Sequence, residues 1–231
     1  YPLSVMKHAE LTIDRLAFGG SGVGRLEGKV CFVPFSAPGD RLTVRVTKEH
    51  RSWLEGELVE LLEPSSLRVH PGCPAFGQCG GCDWQHLSYP AQAETKRLIL
   101  LETLQRVGKL IDPPVGPTMT APDPYGYRAR AQFKLHRAPD GLKAGFYRRG
   151  SRFVIDLPQG CPVVTDAING ALARLRLLLE ELPDADRVPQ ISIEQGEQGC
   201  HAIVHYIGND PQRLVALLAS HEASLALAGL F

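Results

Sequence analysis

Four of the six cysteines in this 231-residue sequence are spaced for chemistry. Three crowd into ten residues, Cys73-Pro-Ala-Phe-Gly-Gln-Cys79-Gly-Gly-Cys82, and a fourth, Cys161, sits in a Gln-Gly-Cys-Pro turn. No apolar run near the N-terminus reads as a signal peptide, so the thiols are expected reduced and a disulfide framework is disfavoured. A Cys-x5-Cys-x2-Cys run with a distant Cys-Pro suits an iron–sulfur cluster held by four thiolates. Gly80 and Gly81 would let the backbone wrap close to such a centre and offer it amide N–H groups. Structural zinc is the rival. Zinc sites usually pair two short Cys-x2-Cys knuckles, whereas here one half is Cys-x5-Cys and the last ligand stands alone. Cys31 and Cys200 lie in apolar strand patterns and read as small buried hydrophobes. His86 is read as outside the ligand set.

A second group of residues could grip a polyanion. The formal net charge is zero, with 25 basic and 25 acidic residues, but the charge is unevenly placed. Residues 71–160 carry 12 basic and 7 acidic side chains, and residues 161–231 carry 4 and 9. Between Tyr127 and Arg152, Arg128, Arg130, Lys134, Arg137, Lys143, Arg148, Arg149 and Arg152 face only Asp140. Such a patch attracts nucleic acid even on a neutral molecule. Tyr127 to Leu135 alternates strictly, placing Arg128, Arg130, Gln132 and Lys134 on one face and Ala129, Ala131, Phe133 and Leu135 on the other. The cations are expected to neutralise phosphates, with Gln132 bonding a sugar or base and Tyr127 or Tyr147 available to stack.

The elements that must position these groups follow from periodicity. Hydrophobic residues make up 44% of the chain, ordinary for a globular protein and too many for a disordered one. No apolar run approaches the roughly 18 residues needed to span a bilayer. Tyr1 to Val5 read as an expression remnant ahead of a start at Met6. The first sixty residues give short strands with no helix: Leu11 to Leu16, Lys29 to Pro34, the alternating Leu42, Val44 and Val46, and Trp53 to Leu62. These predict a five-stranded barrel of the oligonucleotide-binding type. Gly20-x-Gly22-x-Gly24 is not read as a dinucleotide fingerprint, because Arg25-Leu26-Glu27-Gly28 leads into a strand rather than a helix.

Glu63-Pro-Ser-Ser66 marks a boundary, so domains are expected at 1–66 and 67–231. A helix is predicted from Ser88 to Val107, closed by Gly108, and a Pro-rich connector follows. A basic meander of three strands comes next. Thr165 then caps a helix with the stripe Ile168, Leu172, Leu175 and Leu179. A hairpin follows around Gln195 to Gly199, and a last helix opens at Asp210-Pro211. The final Leu225-Ala-Leu-Ala-Gly-Leu-Phe231 reads like the beginning of a further element. The fold class is α+β: a barrel, then a domain with an antiparallel sheet and a cysteine loop.

The sequence resembles the uracil-C5 RNA methyltransferases, in particular those that modify 23S ribosomal RNA. Phe18-Gly-Gly-Ser-Gly-Val-Gly-Arg25, Val33-Pro34 and Pro38-Gly39-Asp40 look like the TRAM domain, a small RNA-binding β-barrel. Cys73-x5-Cys79-Gly-Gly-Cys82 followed by Gln85-His86 looks like the family's cluster motif. Tyr127-Arg128-x-Arg130, Gly145-Phe146-Tyr147, Val154-Ile155-Asp156 and Cys161-Pro162 look like its central domain.

The resemblance implies that Cys73, Cys79, Cys82 and Cys161 bind a [4Fe–4S] cluster, in a structural or RNA-docking rather than redox role. RNA contacts are expected at Arg128, Arg130, Gln132, Lys134, Arg148 and Arg149 of the basic meander, with cytoplasmic action on RNA and no membrane or inferred protein partner. In this family a C-terminal Rossmann-like domain binds S-adenosylmethionine. That domain supplies a cysteine nucleophile and a carboxylate base, because C5 of uracil attacks a methyl group only after thiolate addition at C6. Nothing after Cys161 matches it, so no catalytic residue is assigned. The chain is expected to be the RNA-recognising part of such an enzyme, lacking the catalytic domain. The alternative is a non-catalytic, metal-containing RNA-binding protein.

Overall fold

The computed structural model describes residues 8–231, so the remnant and start read at Tyr1 to Met6 lie outside it. Strands β1 (His8–Leu16), β2 (Gly22–Leu26), β3 (Lys29–Val33), β4 (Arg41–Glu49) and β5 (Trp53–Glu63) close into the expected five-stranded barrel, in the order β1-β2-β3-β5-β4. Parallel pairing of β3 with β5, Cys31 opposite Leu54, completes the ring. Alternation decides what the barrel buries. Leu11, Ile13, Cys31, Val33, Leu42, Val44 and Leu54 point inward, while Arg41 and Arg45 point out to Glu63 and Glu57. The glycines of β2 are packing residues. A Cβ on Gly24 would lie 2.4 Å from the Thr12 carbonyl oxygen, and one on Gly22 would lie 1.9 Å from Ser36 Oγ. β1 therefore crosses β2 at a distance only glycine permits.

Contacts divide the chain into two compact units, one of residues through Gly72 with Cys82–Thr120, the other of Cys73–Gly81 with Ala121–Phe231. The division differs from a single cut after residue 66. The segment after Cys82 returns to the barrel. The Trp84 indole N–H donates to the Gly20 carbonyl at 3.0 Å, the Val69 N–H to the His86 carbonyl at 2.9 Å, and the Ser88 N–H to the Leu67 carbonyl at 2.9 Å. Helix α1 (Tyr89–Arg106) follows, with Pro90 in its first turn. Ser88 stands at its N-cap but makes no side-chain capping bond.

In the other unit, β6 (Arg130–Ala138), β7 (Gly141–Tyr147), β8 (Val154–Asp156), β9 (Gln190–Gly196) and β10 (Gly199–His205) build a sheet with β11 (Gly229–Leu230), in the order β11-β10-β9-β6-β7-β8. All its pairings are antiparallel except β10 with β11. Helix α2 (Asp166–Glu180) lays its apolar stripe across β7, β9 and β10, burying Ile168, Leu172, Leu175 and Leu179. Phe133 lies beneath it, fully buried, its ring 5.2 Å from that of Phe146. Thr165 precedes α2 without a side-chain capping bond. The last helix opens where Asp210-Pro211 predicts: Pro211 is the N-cap of α3 (Gln212–Ser220), and the Asp210 carboxylate just before it accepts from the Gln212 N–H at 3.0 Å. The apolar C-terminal run completes this sheet. It forms a short helix α4 (Glu222–Leu225) and then β11, which pairs alongside β10. Among the described residues no helix is long and apolar enough to cross a membrane.

Candidate nucleic-acid interface

The predicted basic strand exists, starting slightly later than the alternation suggests. Arg128 is not in the ladder with β9. Its N–H donates to the Val163 carbonyl at 3.0 Å, and its carbonyl accepts from the Thr165 N–H at 3.2 Å. From Arg130 onward β6 pairs with β9, and the faces sort as expected: Ala131, Phe133 and Leu135 are buried, while Arg130 and Gln132 are exposed and Lys134 half-buried.

Register then supplies each face residue with a neighbour. Arg130 stands opposite Glu194, and their side chains pair at 2.6 Å. That carboxylate raises the guanidinium's pKa, first through the hydrogen bond and then through charge. Lys134 stands opposite Gln190 and donates to its Oε1. The Lys134 ammonium also lies 5.5 Å from the centre of the Tyr147 ring. Gln190 Nε2 donates to Ser192 Oγ at 3.2 Å, and Ser192 Oγ is hydrogen-bonded to His205 Nε2 at 3.1 Å. A continuous polar row therefore runs from Tyr147 on β7 through Lys134, Gln190 and Ser192 to His205 on β10. Gln132, opposite Ser192, lies beside it.

Arg148 and Arg149 sit in the loop between β7 and β8, both exposed. The Arg148 guanidinium lies 5.2 Å from the Phe153 ring centre. The candidate RNA contacts thus fall in two places, the face of β6 and this loop. Sequence reasoning missed Gln190, Ser192, Glu194 and His205. The alternation of Gln190, Ser192 and Glu194 with Ile191 and Ile193 carried a signal for the first three.

The cysteine expectation is not supported by the placement of the side chains. None of Cys73, Cys79, Cys82 and Cys161 is joined in a disulfide; the first three are half-buried and Cys161 is buried. Among the described residues no group of three or more Cys, His, Asp or Glu side chains is placed to hold a metal ion.

Backbone contacts fix where the thiols sit. The Cys79 N–H donates to the Ala75 carbonyl at 2.9 Å, and the Gly80 N–H to the Tyr147 carbonyl at 2.9 Å. A Cβ on Gly80 would lie 2.9 Å from that same carbonyl oxygen, so the loop presses against the end of β7 with no room for a side chain. Cys161 is held separately. Its N–H donates to Asn169 Oδ1 at 2.9 Å, and the Asn169 amide returns a bond to its carbonyl at 3.0 Å. Cys82 is grouped with the barrel unit. One feature of the expected site is present: the Gly81 N–H donates to Cys79 Sγ at 3.4 Å. Cys31 and Cys200 are buried as expected, and burial pushes both thiols up in pKa, away from reactivity.

The barrel's polar interior is structural. Asp40 is fully buried, accepting from Arg68 Nε and Nη2, each at 2.8 Å, and from the backbone N–H groups of Ala37 and Ser65. Burial works against its ionisation, but these bonds prevail and hold the carboxyl below the usual range. His86, also buried, bonds the Ser36 carbonyl through Nε2 at 3.2 Å. Burial lowers its pKa and keeps it neutral.

Residues 4–59 match the TRAM domain family, so the barrel is a TRAM domain. Over 92% of its length the chain is 37% identical to an uncharacterised RNA methyltransferase of Synechocystis, spanning 45% of that relative. Over 80% of its length it is 37% identical to a Thiobacillus denitrificans protein named 23S rRNA (uracil(1939)-C(5))-methyltransferase RlmD, spanning 42% of it. Its fold is similar to that of the Pyrococcus abyssi tRNA (uracil-54, C5)-methyltransferase, solved with S-adenosyl-L-homocysteine. The TM-score is 0.62 at 24% identity, covering 90% of this chain and 48% of that one. The chain thus spans about half the length of the curated relatives it matches. The expectation that it lacks a catalytic domain is not borne out by these comparisons, whose matches extend over most of its residues.

Proposed function

We propose that the protein is an S-adenosylmethionine-dependent RNA methyltransferase acting in the cytoplasm on C5 of a uridine, in 23S rRNA. In this reading the TRAM barrel and the six-stranded sheet recognise the RNA. The observation that carries it is the 37% identity, over 80% of the chain, to a relative named for that reaction. The TRAM domain and the exposed basic residues of β6 and the β7–β8 loop support the RNA partner.

Arg128, Arg148 and Arg149 reach phosphates. Arg130 does so only by leaving Glu194 or sharing it. Lys134 and Gln132 contact a base or sugar. The reaction is tested with labelled S-adenosylmethionine and 23S rRNA from cells in which the gene is deleted. Label is expected in 5-methyluridine at one position. Incorporation elsewhere, or none with active donor, refutes the assignment.

The [4Fe–4S] role of Cys73, Cys79, Cys82 and Cys161 rests on their spacing and on the resemblance. Metal analysis of purified protein decides it. Iron with acid-labile sulfide in equal amounts, lost in Cys79→Ser, supports a cluster; zinc, or no metal, removes it.

A further inference from the structure

We propose that the open face of the six-stranded sheet is a platform for an unpaired RNA segment, with Tyr147 as its stacking ring. The polar row across β6, β9 and β10 would then read base edges. The inference rests on the RNA reading above and narrows it from RNA in general to single-stranded RNA.

Three observations carry it. The face opposite α2 is lined by residues that solvent reaches: Gln132, Glu194, His201 and His205 are exposed, and Ile203 is 46% exposed. Tyr147 is 38% exposed, large for an aromatic at the end of a central strand, and it already carries one cation, Lys134. Its backbone is held from two sides. Tyr147 pairs with Val154 on β8, and its carbonyl accepts the Gly80 N–H in the close approach described above. A ring on a fixed backbone loses little freedom when a base stacks on it.

The chemistry of the row selects the ligand. Lys134, Gln190, Ser192 and His205 offer an ammonium, an amide, a hydroxyl and an imidazole in sequence across three strands. Amides and hydroxyls both donate and accept, which suits the mixed edges of bases. Phosphates need cations, and on this face the Arg130 charge is already met by Glu194. A duplex hides its base edges and is held mostly through phosphates and 2′-hydroxyls, whereas an unpaired strand can splay bases onto an aromatic ring and a hydrogen-bonding surface.

The test uses the purified chain, a fluorescein-labelled oligouridine and a labelled RNA hairpin that is all duplex, titrated by anisotropy over a range of salt. Wild type is expected to prefer the oligouridine. Tyr147→Ala should weaken oligouridine binding about tenfold while changing duplex binding little. Its salt slope should stay at the wild-type value, because stacking releases no counterions. Tyr147→Phe, which keeps the ring and the packing, should bind like wild type. Equal losses for both RNAs in Tyr147→Ala, or equal losses in the Ala and Phe variants, would overturn the platform while leaving RNA recognition standing. Absence of wild-type binding to either RNA would overturn both readings together.

Discussion

Replacing Arg68 by Ala is expected to cost the barrel unit about 3–5 kcal/mol, because it leaves a buried carboxylate without its counter-charge. Asp40 has no solvent exposure, and Arg68 meets both of its oxygens while donating a further bond to the Phe35 carbonyl at 2.9 Å. Phe35 is one of four non-glycine residues with positive φ among those described, so losing this bond also releases a strained turn. Urea unfolding followed by tryptophan fluorescence reads the effect directly, since Trp53 and Trp84, the two tryptophans of the chain, both belong to the barrel unit.

The pH dependence carries a sign. In wild type the folded carboxyl ionises more readily than the unfolded one, so Asp40 adds stability above about pH 4 that is lost as the pH falls through its lowered folded pKa. In Arg68→Ala burial acts unopposed by charge and the folded pKa rises, so the folded state gains a proton first. The gap between the two proteins should therefore narrow as the pH falls into the carboxylate range. A gap that stays constant with pH would show that lost packing, not the unpaired charge, is the cause.

The second large effect is expected at Gly145. Its position in β7 brings a would-be Cβ within 2.0 Å of the Ile155 carbonyl oxygen and 3.1 Å of Leu157 Cγ. A backbone atom cannot step aside as a side chain does, so Gly145→Val should pry β8 off β7 at a cost of about 3 kcal/mol or more. More than one strand pair is at stake. The Ala144 N–H donates to Asp156 Oδ1 at 2.9 Å, and the same carboxylate holds Arg176 of α2 in a two-pronged pair at 2.9 and 3.0 Å. Lifting β8 loosens all three. Gly150, in the loop between the same strands, is the control. It has φ of 68° but open space around it, so Gly150→Ala should cost only about 1 kcal/mol, the strain of its backbone. Hydrogen exchange at the Leu157 amide, which donates to the Ala144 carbonyl at 3.0 Å, should accelerate in Gly145→Val and stay near the wild-type rate in Gly150→Ala. Equal melting points for the two variants would contradict the steric account.

The barrel strands, the α2 stripe and the two faces of β6 could be read from alternation and helical spacing, because burial on one side imposes those periods whatever the partner. The partners themselves could not. Arg130 meets Glu194 across 64 residues, through a register that local pattern does not encode. Pro38-Gly39-Asp40 reads as an ordinary turn, and nothing nearby announces that Asp40 is buried and waiting for Arg68. The alternation continues back through Ala129 to Tyr127, three residues ahead of the first residue of β6. Bonds from Arg128 to Val163 and Thr165 decide otherwise. The cysteine spacing was the loudest local signal, yet sequence separation says nothing of where each thiol ends up. For Cys161 that is set by Asn169, eight residues on.

The way the chain threads between its two units bears on vectorial synthesis. The barrel strands leave the ribosome first and can pair early, but Asp40 emerges well before Arg68, and Gly20 waits longer still for Trp84. The nascent barrel must hold an uncompensated acid in its interior until roughly thirty further residues are made. A pause with Arg68 still inside the ribosomal exit tunnel would prolong that exposed stage and invite proteolysis or aggregation, whereas a pause after the segment through Ser88 has emerged would find the barrel already sealed.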